Sequence, residues 1–233
     1  MPPSSSKQIK PKDDEVYNKG DCTIVSSDDV RFRIPSYYLL AASEVIRGMS
    51  EVGSGPFVIN MTDPDIENAA AIRLWLSAAS GHHLAIEAGL IEKAFKVMHL
   101  AKKYECTSIA ASTITLIHKA VGAANIPLKE IIIFGSVFGE GELVAKALRE
   151  SASHFDDYDG DYDPADIGVN IDPNTWTLAD WKRVPIKYLW ALTVSRRPGQ
   201  TSRAQQSAEL MEMLKTGKVP TVMPVMKGKK RRY

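Results

Sequence analysis

Apolar and polar positions alternate with a period of two near the beginning of the chain. Cys22, Ile24 and Ser26 fall to one side and Thr23 and Val25 to the other, and Phe32 and Ile34 are interleaved with Arg31 and Arg33. Ser27-Asp28-Asp29 between the two runs supplies turn chemistry, so the pattern predicts a two-stranded hairpin. The period then becomes helical. Pro35-Ser36 suits a helix start, the proline because its missing N–H would be orphaned there and the serine because its hydroxyl can cap. Leu39, Ala42, Ile46 and Met49 recur at helical spacing, and Ser43 is a good cap inside that run, which predicts a break after Ala42 and two short helices. Gly53 and Gly55 close the element.

Phe57 to Met61 reads as a short strand, and Asp63-Pro64 as the cap and first-turn proline of a helix that buries Ile72, Trp75, Leu76 and Ala79 and ends at Gly81. Between Ala88 and Tyr104, Leu90, Ala94, Val97, Met98 and Ala101 share one face, and Glu92 stands four residues before Lys96. Another helix over 107–121 buries Ile109, Leu116 and Ala120. Beyond Asn125-Ile126-Pro127 the pattern stays helical: 128–138 and 142–155 form an antiparallel pair turned at Gly139-Glu140-Gly141. An acidic loop with Tyr and Gly follows over 156–173, then a bulky cluster of Trp176, Trp181, Tyr188, Trp190 and Leu192 broken at Pro185, and a last helix over 202–214.

These elements predict an α+β chain with a flexible tail at 1–15, a first domain at 16–124, an all-α extension at 125–215 and a basic flexible tail at 216–233. The 44% apolar and 24% charged content supports a packed core, and the formal charge of +1 leaves nucleic-acid contact to local patches. Cys22 and Cys106 lie far apart with no Cys-x-x-Cys pair, which fits a reducing intracellular compartment. No apolar run reads as a secretory signal or a bilayer span. The expected location is the nucleus or cytoplasm.

The run Asp21-x-Thr-Ile-Val, Phe32-Arg33-Ile34, Leu39-x-x-Ala-Ser43-x-x-Ile46-Arg47-x-Met49, the strand at Phe57, Leu74-x-Leu76 and Ala101-x-x-Tyr104 resembles the BTB/POZ domain over residues 16–124. Pro127-Leu128, Phe134, Phe138-Gly139, Leu143, Ala145 and Ala147 are similar to the helical region that follows this domain in fungal BTB proteins. The resemblance implies a small β-sheet flanked by a helical cluster, and a protein–protein interaction module, not an enzyme. It implies a homodimer surface at Asp21, Tyr37, Tyr38 and Leu40, and, if the chain is a ubiquitin-ligase adaptor, a cullin scaffold contact at Met49 and Glu51. A second alternative is a transcription or chromatin-associated regulator.

The candidate chemistry is sparse. Adjacent His82 and His83 lack a Cys or acidic partner at metal-ligand spacing, and His99 and His118 sit within helical runs. Asp156, Asp157, Asp159, Asp161 and Asp163 fail the calcium-loop pattern, because Tyr162 occupies its glycine position and Gly168 its glutamate position. Gly135, Gly139 and Gly141 follow no strand and lead to no Gly-Lys-Ser/Thr ending, so they read as a helix turn and not a phosphate loop. No serine elbow or Cys/His nucleophile pattern is visible. The expectation is therefore no enzyme, no cofactor, no metal, no small-molecule substrate and no membrane contact. Lys227, Lys229, Lys230, Arg231 and Arg232 are candidates for nuclear import or for weak contact with nucleic acid.

Overall fold

The hairpin forms where the alternation places it. Strands β2 (Cys22–Val25) and β3 (Val30–Ile34) pair antiparallel, with Ile24 opposite Phe32 and Cys22 opposite Ile34. All four of these side chains are buried, together with Ser26, whose hydroxyl and Val30 exchange hydrogen bonds across the turn. The computed structural model describes residues 10–52, 56–123, 126–156, 176–194, 212–214 and 216. Two further strands complete a four-stranded sheet in the order β1-β3-β2-β4, with β1 (Lys12–Asn18) parallel to β3 and β4 (Phe57–Asn60) parallel to β2.

Strand β1 corrects the expected tail at 1–15, since it begins at Lys12. Its sequence, Lys-Asp-Asp-Glu-Val-Tyr-Asn, shows no apolar alternation because the residue it buries is a carboxylate. Asp14 accepts the N–H groups of Val16 and Tyr17 and the guanidinium of Arg73, which also lies 5.9 Å over the Phe32 ring. A buried charge is tolerable when each lone pair finds a donor, and here each does. Burial works to raise the Asp14 pKa, but these donors outweigh it and hold the carboxyl below its ordinary value.

The helix break after Ala42 is present. Helix α1 (Ser36–Ala42) and helix α2 (Glu44–Val52) are separated by Ser43, whose buried hydroxyl oxygen accepts the N–H of Ile46 and whose proton goes to the Tyr104 carbonyl. Ser36 does not cap its own helix. Helix α3 (Ala69–Ala79) begins six residues after Asp63, capped by Asn68 at 3.0 Å. Asp63-Pro64 instead opens a tight turn in which Asp63 accepts the Asp65 N–H. Helices α4 (Leu90–Lys103) and α5 (Thr107–Ala120) follow the predicted bounds closely. Leu116 is only half-buried, and Thr113 and Ile117 take its expected place inside.

Phe32, Ile34, Leu39, Ile46, Ile72, Trp75, Leu76, Val97 and Leu100 share one core between the sheet and these helices. Each such side chain contributes about 1.5–3 kcal/mol on burial. Two compact units divide at 120/121, a few residues before the expected boundary at 124.

In the second unit, helix α6 (Leu128–Phe138) is buried at most positions and pairs with helix α7 (Gly141–Asp156). A side chain at Gly135 would meet Val144 at 2.9 Å and the Glu140 carbonyl at 3.1 Å, so the glycine sets the close approach of this pair. Gly139, at φ 84°, ends α6 in the left-handed conformation. Helices α8 (Leu178–Arg183) and α9 (Ile186–Val194) are separated at Pro185 as expected. Trp176 and Tyr188 are buried, but Trp190, expected within the bulky cluster, is exposed. The chain is α+β, with its described strands gathered in one mixed sheet. The acidic loop expected at 156–173 lies outside the described residues except for Asp156, which ends α7, and so do almost all of the last predicted helix, the basic tail beyond Thr216, and Gly53 and Gly55.

Candidate functional site: the first helix pair

Hydrogen bonds from Asp21, Ser43 and Arg47 fix α1 and α2 in place. Asp21, in the turn before β2, accepts the Ser36 hydroxyl at 2.6 Å and the Ser36 N–H at 2.7 Å, so it satisfies the first turn of α1 from outside the helix. Those two donors hold the exposed Asp21 carboxyl below its usual pKa. Ser43 caps α2 and ties the break to Tyr104. Arg47 then reaches back from α2 with Nε at 3.1 Å and Nη2 at 3.0 Å from the Leu40 carbonyl, filling an acceptor that the end of α1 leaves open.

The helix pair so fixed presents apolar groups to solvent. Tyr37 is 59% exposed and Val52 89% exposed, and Met49 is also exposed. Tyr38 and Leu40 are half-buried and pack against the core, with the Tyr38 ring 4.1 Å from that of Tyr37. Of the two tyrosines, Tyr38 is thus the one that contributes to the core, and Tyr37 lies against it with most of its surface in solvent. Asp21 is a helix-positioning group, and Glu51 lies exposed beside Val52. Val52 had no sequence signal, since it falls at the end of an apolar run that reads equally well as core. Met49 shares the helical spacing of Leu39, Ala42 and Ile46 but is exposed.

Behind this surface lies a buried polar network. Glu67, 1% exposed, accepts the Tyr104 hydroxyl at 2.5 Å, the Lys103 ammonium at 2.8 Å and the N–H groups of Thr62 and Asp63 at 2.8 and 2.7 Å. Burial works to raise its pKa, yet Lys103 and Tyr104 outweigh it and leave the carboxyl below the ordinary glutamate value. The Tyr104 hydroxyl is pushed up by burial and by the facing carboxylate. Both carboxylate oxygens of Glu67 are thus taken up, Oε1 by Tyr104 and Lys103 and Oε2 by the two N–H groups. The sequence did not mark Glu67, because a lone acid in a loop carries no periodic signal.

An open depression of about 300 Å³ between β1 and α3 is lined by Lys12, Asp13, Asp14, Glu15, Val16, Val30 and Arg73. Its inner charges, Asp14 and Arg73, are already paired. His82 and His83 are exposed, and no group of three metal-ligating side chains occurs among the described residues. No helix among those residues is long and apolar enough to cross a membrane. Lys227, Lys229, Lys230, Arg231 and Arg232 lie outside the described residues. Searches against models of known families, against curated proteins and against solved structures find no match.

Proposed function

We propose that this chain is a non-enzymatic interaction module of BTB/POZ type that self-associates through α1 and α2 and recruits other proteins. The observation that carries the reading is the exposure of Tyr37, Met49 and Val52 on helices held rigid by Asp21, Ser43 and Arg47. Large apolar side chains on a preorganised support lose little entropy on docking and gain the full burial of their area. A homodimer interface of ordinary size removes about 1,600 Å² from water in total, and the exposed side of this helix pair is the surface from which it would be built.

The test is the mass of the full chain by light scattering. A dimer is expected for the wild type and a folded monomer for Tyr37→Asp combined with Met49→Asp, since a carboxylate facing apolar surface without a partner is costly. These two positions are better probes than Tyr38 and Leu40, whose partial burial mixes core with surface. A monomeric wild type at about 100 μM, weaker than the affinity of a stable interface, would defeat the reading, as would a variant that remains dimeric. The exposure of Glu51 beside Met49 favours one further role, a cullin-scaffold contact. Glu51→Lys should then abolish cullin co-purification without changing the mass of the chain.

A further inference from the structure

The face of α9 that points away from the core of the second unit carries an exposed apolar pair, and the exposed charges of α9 and the preceding helix are positive. Ile186 is 85% exposed and Trp190 38% exposed, and their spacing of four residues sets them side by side on the helix surface. The opposite face is anchored, because Tyr188, Ala191 and Leu192 are buried. Across α8 and α9 the one carboxylate is Asp180, and it is buried, bonded to Lys129 at 3.1 Å and to Thr177 in a capping box. All exposed charge on these two helices is therefore cationic: Lys182, Arg183 and Lys187. Arg183 pairs with Glu130 at 3.2 Å and Lys187 lies over the Tyr188 ring, while Lys182 has no ion-pair partner among the described residues.

We infer that this face of α9 is a docking site for an acidic peptide bearing apolar anchors, with Ile186 and Trp190 receiving the anchors and Lys182 and Lys187 the carboxylates. Tryptophan is the side chain most enriched where binding energy concentrates, and a cationic rim both steers an acidic partner and rejects a basic one. A lipid surface fits less well. Membrane association grows with the apolar area that enters the headgroup region, and this nine-residue helix offers Ile186 and Trp190 while Tyr188, Ala191 and Leu192 are buried. The site lies outside residues 1–120, so it stands or falls apart from the self-association reading.

The experiment is fluorescence anisotropy of a labelled synthetic peptide with leucines at every third and fourth position and Glu or Asp elsewhere, titrated with the full chain. Saturable binding is expected, weakened about ten-fold or more by Ile186→Glu and by Lys182→Glu combined with Lys187→Glu, and reduced by salt. A peptide of the same leucine pattern with lysines for the acids should not bind. Ile186 is so exposed that its substitution leaves the fold intact, which circular dichroism checks, and the lysine pair carries the test if it does not. Binding that is absent, or that neither variant weakens, overturns the inference. So does binding of phosphatidylserine vesicles in the absence of peptide binding, which would assign the face to lipid.

Discussion

Replacing Glu67 by alanine removes the acceptor for four donors at once, and the surroundings of each donor set its cost. Lys103 is 40% exposed and returns to water, and Thr62 lies at the surface where its N–H can be hydrated. Tyr104 has no such outlet, since the residue is buried and its ring packs on Trp75 at 5.4 Å. A buried hydroxyl left without a partner costs about 1–3 kcal/mol. With the partly buried Asp63 N–H and the lost packing of the side chain, the total comes to about 2–4 kcal/mol. Glutamine should cost less than alanine but more than nothing. Its carbonyl can keep the Thr62 and Asp63 N–H groups and its NH₂ can donate to the Tyr104 oxygen, but the Tyr104 proton then loses its acceptor and the Lys103 ammonium its carboxylate partner.

The pH dependence has a definite sign. Glu67 has a folded pKa below the ordinary glutamate value of 4.5, so its contribution is complete above that value and fades as pH falls through the depressed folded pKa. The stability gap between wild type and Glu67→Gln should therefore shrink in acid below pH 4.5 and not in base. Hydrogen exchange by mass spectrometry on peptides from α3 and α4, corrected for intrinsic rates, isolates this unit from the other. A loss of protection under about 1 kcal/mol for alanine, or wild-type protection for glutamine, would refute the reasoning.

Three further outcomes are expected. Gly20→Ala would place a methyl group 2.1 Å from the Ile34 carbonyl carbon, backbone that cannot turn aside, so the hairpin should lose at least about 3 kcal/mol in exchange protection over 22–34. Asp180→Ala removes both the capping box of α8 and the Lys129 bond and should cost about 1–3 kcal/mol, read as lost protection in 178–183 with residues 22–34 unchanged. Cys22 and Cys106 are buried and the Cys22 thiol is pushed up to about 12 by burial and by Asp21, so an aromatic disulfide reagent at pH 8 should react with neither in the native chain and with both in denaturant.

What the sequence could reveal followed from periodicity. The period-two run at 22–34, the amphipathic stripe from Leu90 to Ala101 and the cap at Ser43 each carry local patterns, and each element formed accordingly. Strand β1 was not legible because its inward group is the charged Asp14, whose partner Arg73 lies 59 residues away. The start of α3 was misplaced because Asp-Pro fits a turn as well as a cap, and Asn68 carried the decisive hydrogen bond. The candidate surface was less legible: the sequence did not decide which of Tyr37 and Tyr38 faces solvent, exposure of Met49, Val52 and Ile186 depends on which face the core takes, and apolar spacing alone does not say which end of a stripe remains uncovered.

The bond from Ser43 to the Tyr104 carbonyl joins residues 61 positions apart, and the Glu67 cluster likewise waits for Lys103 and Tyr104. During translation the ribosome thus releases the hairpin and the first helices well before the residues that lock them have been made. Through that interval the nascent chain holds a buried-to-be carboxylate and an apolar sheet face in water, so vectorial synthesis exposes this half to chaperone capture. The α6–α7 hairpin, whose contacts are between neighbours, can close almost as soon as it emerges.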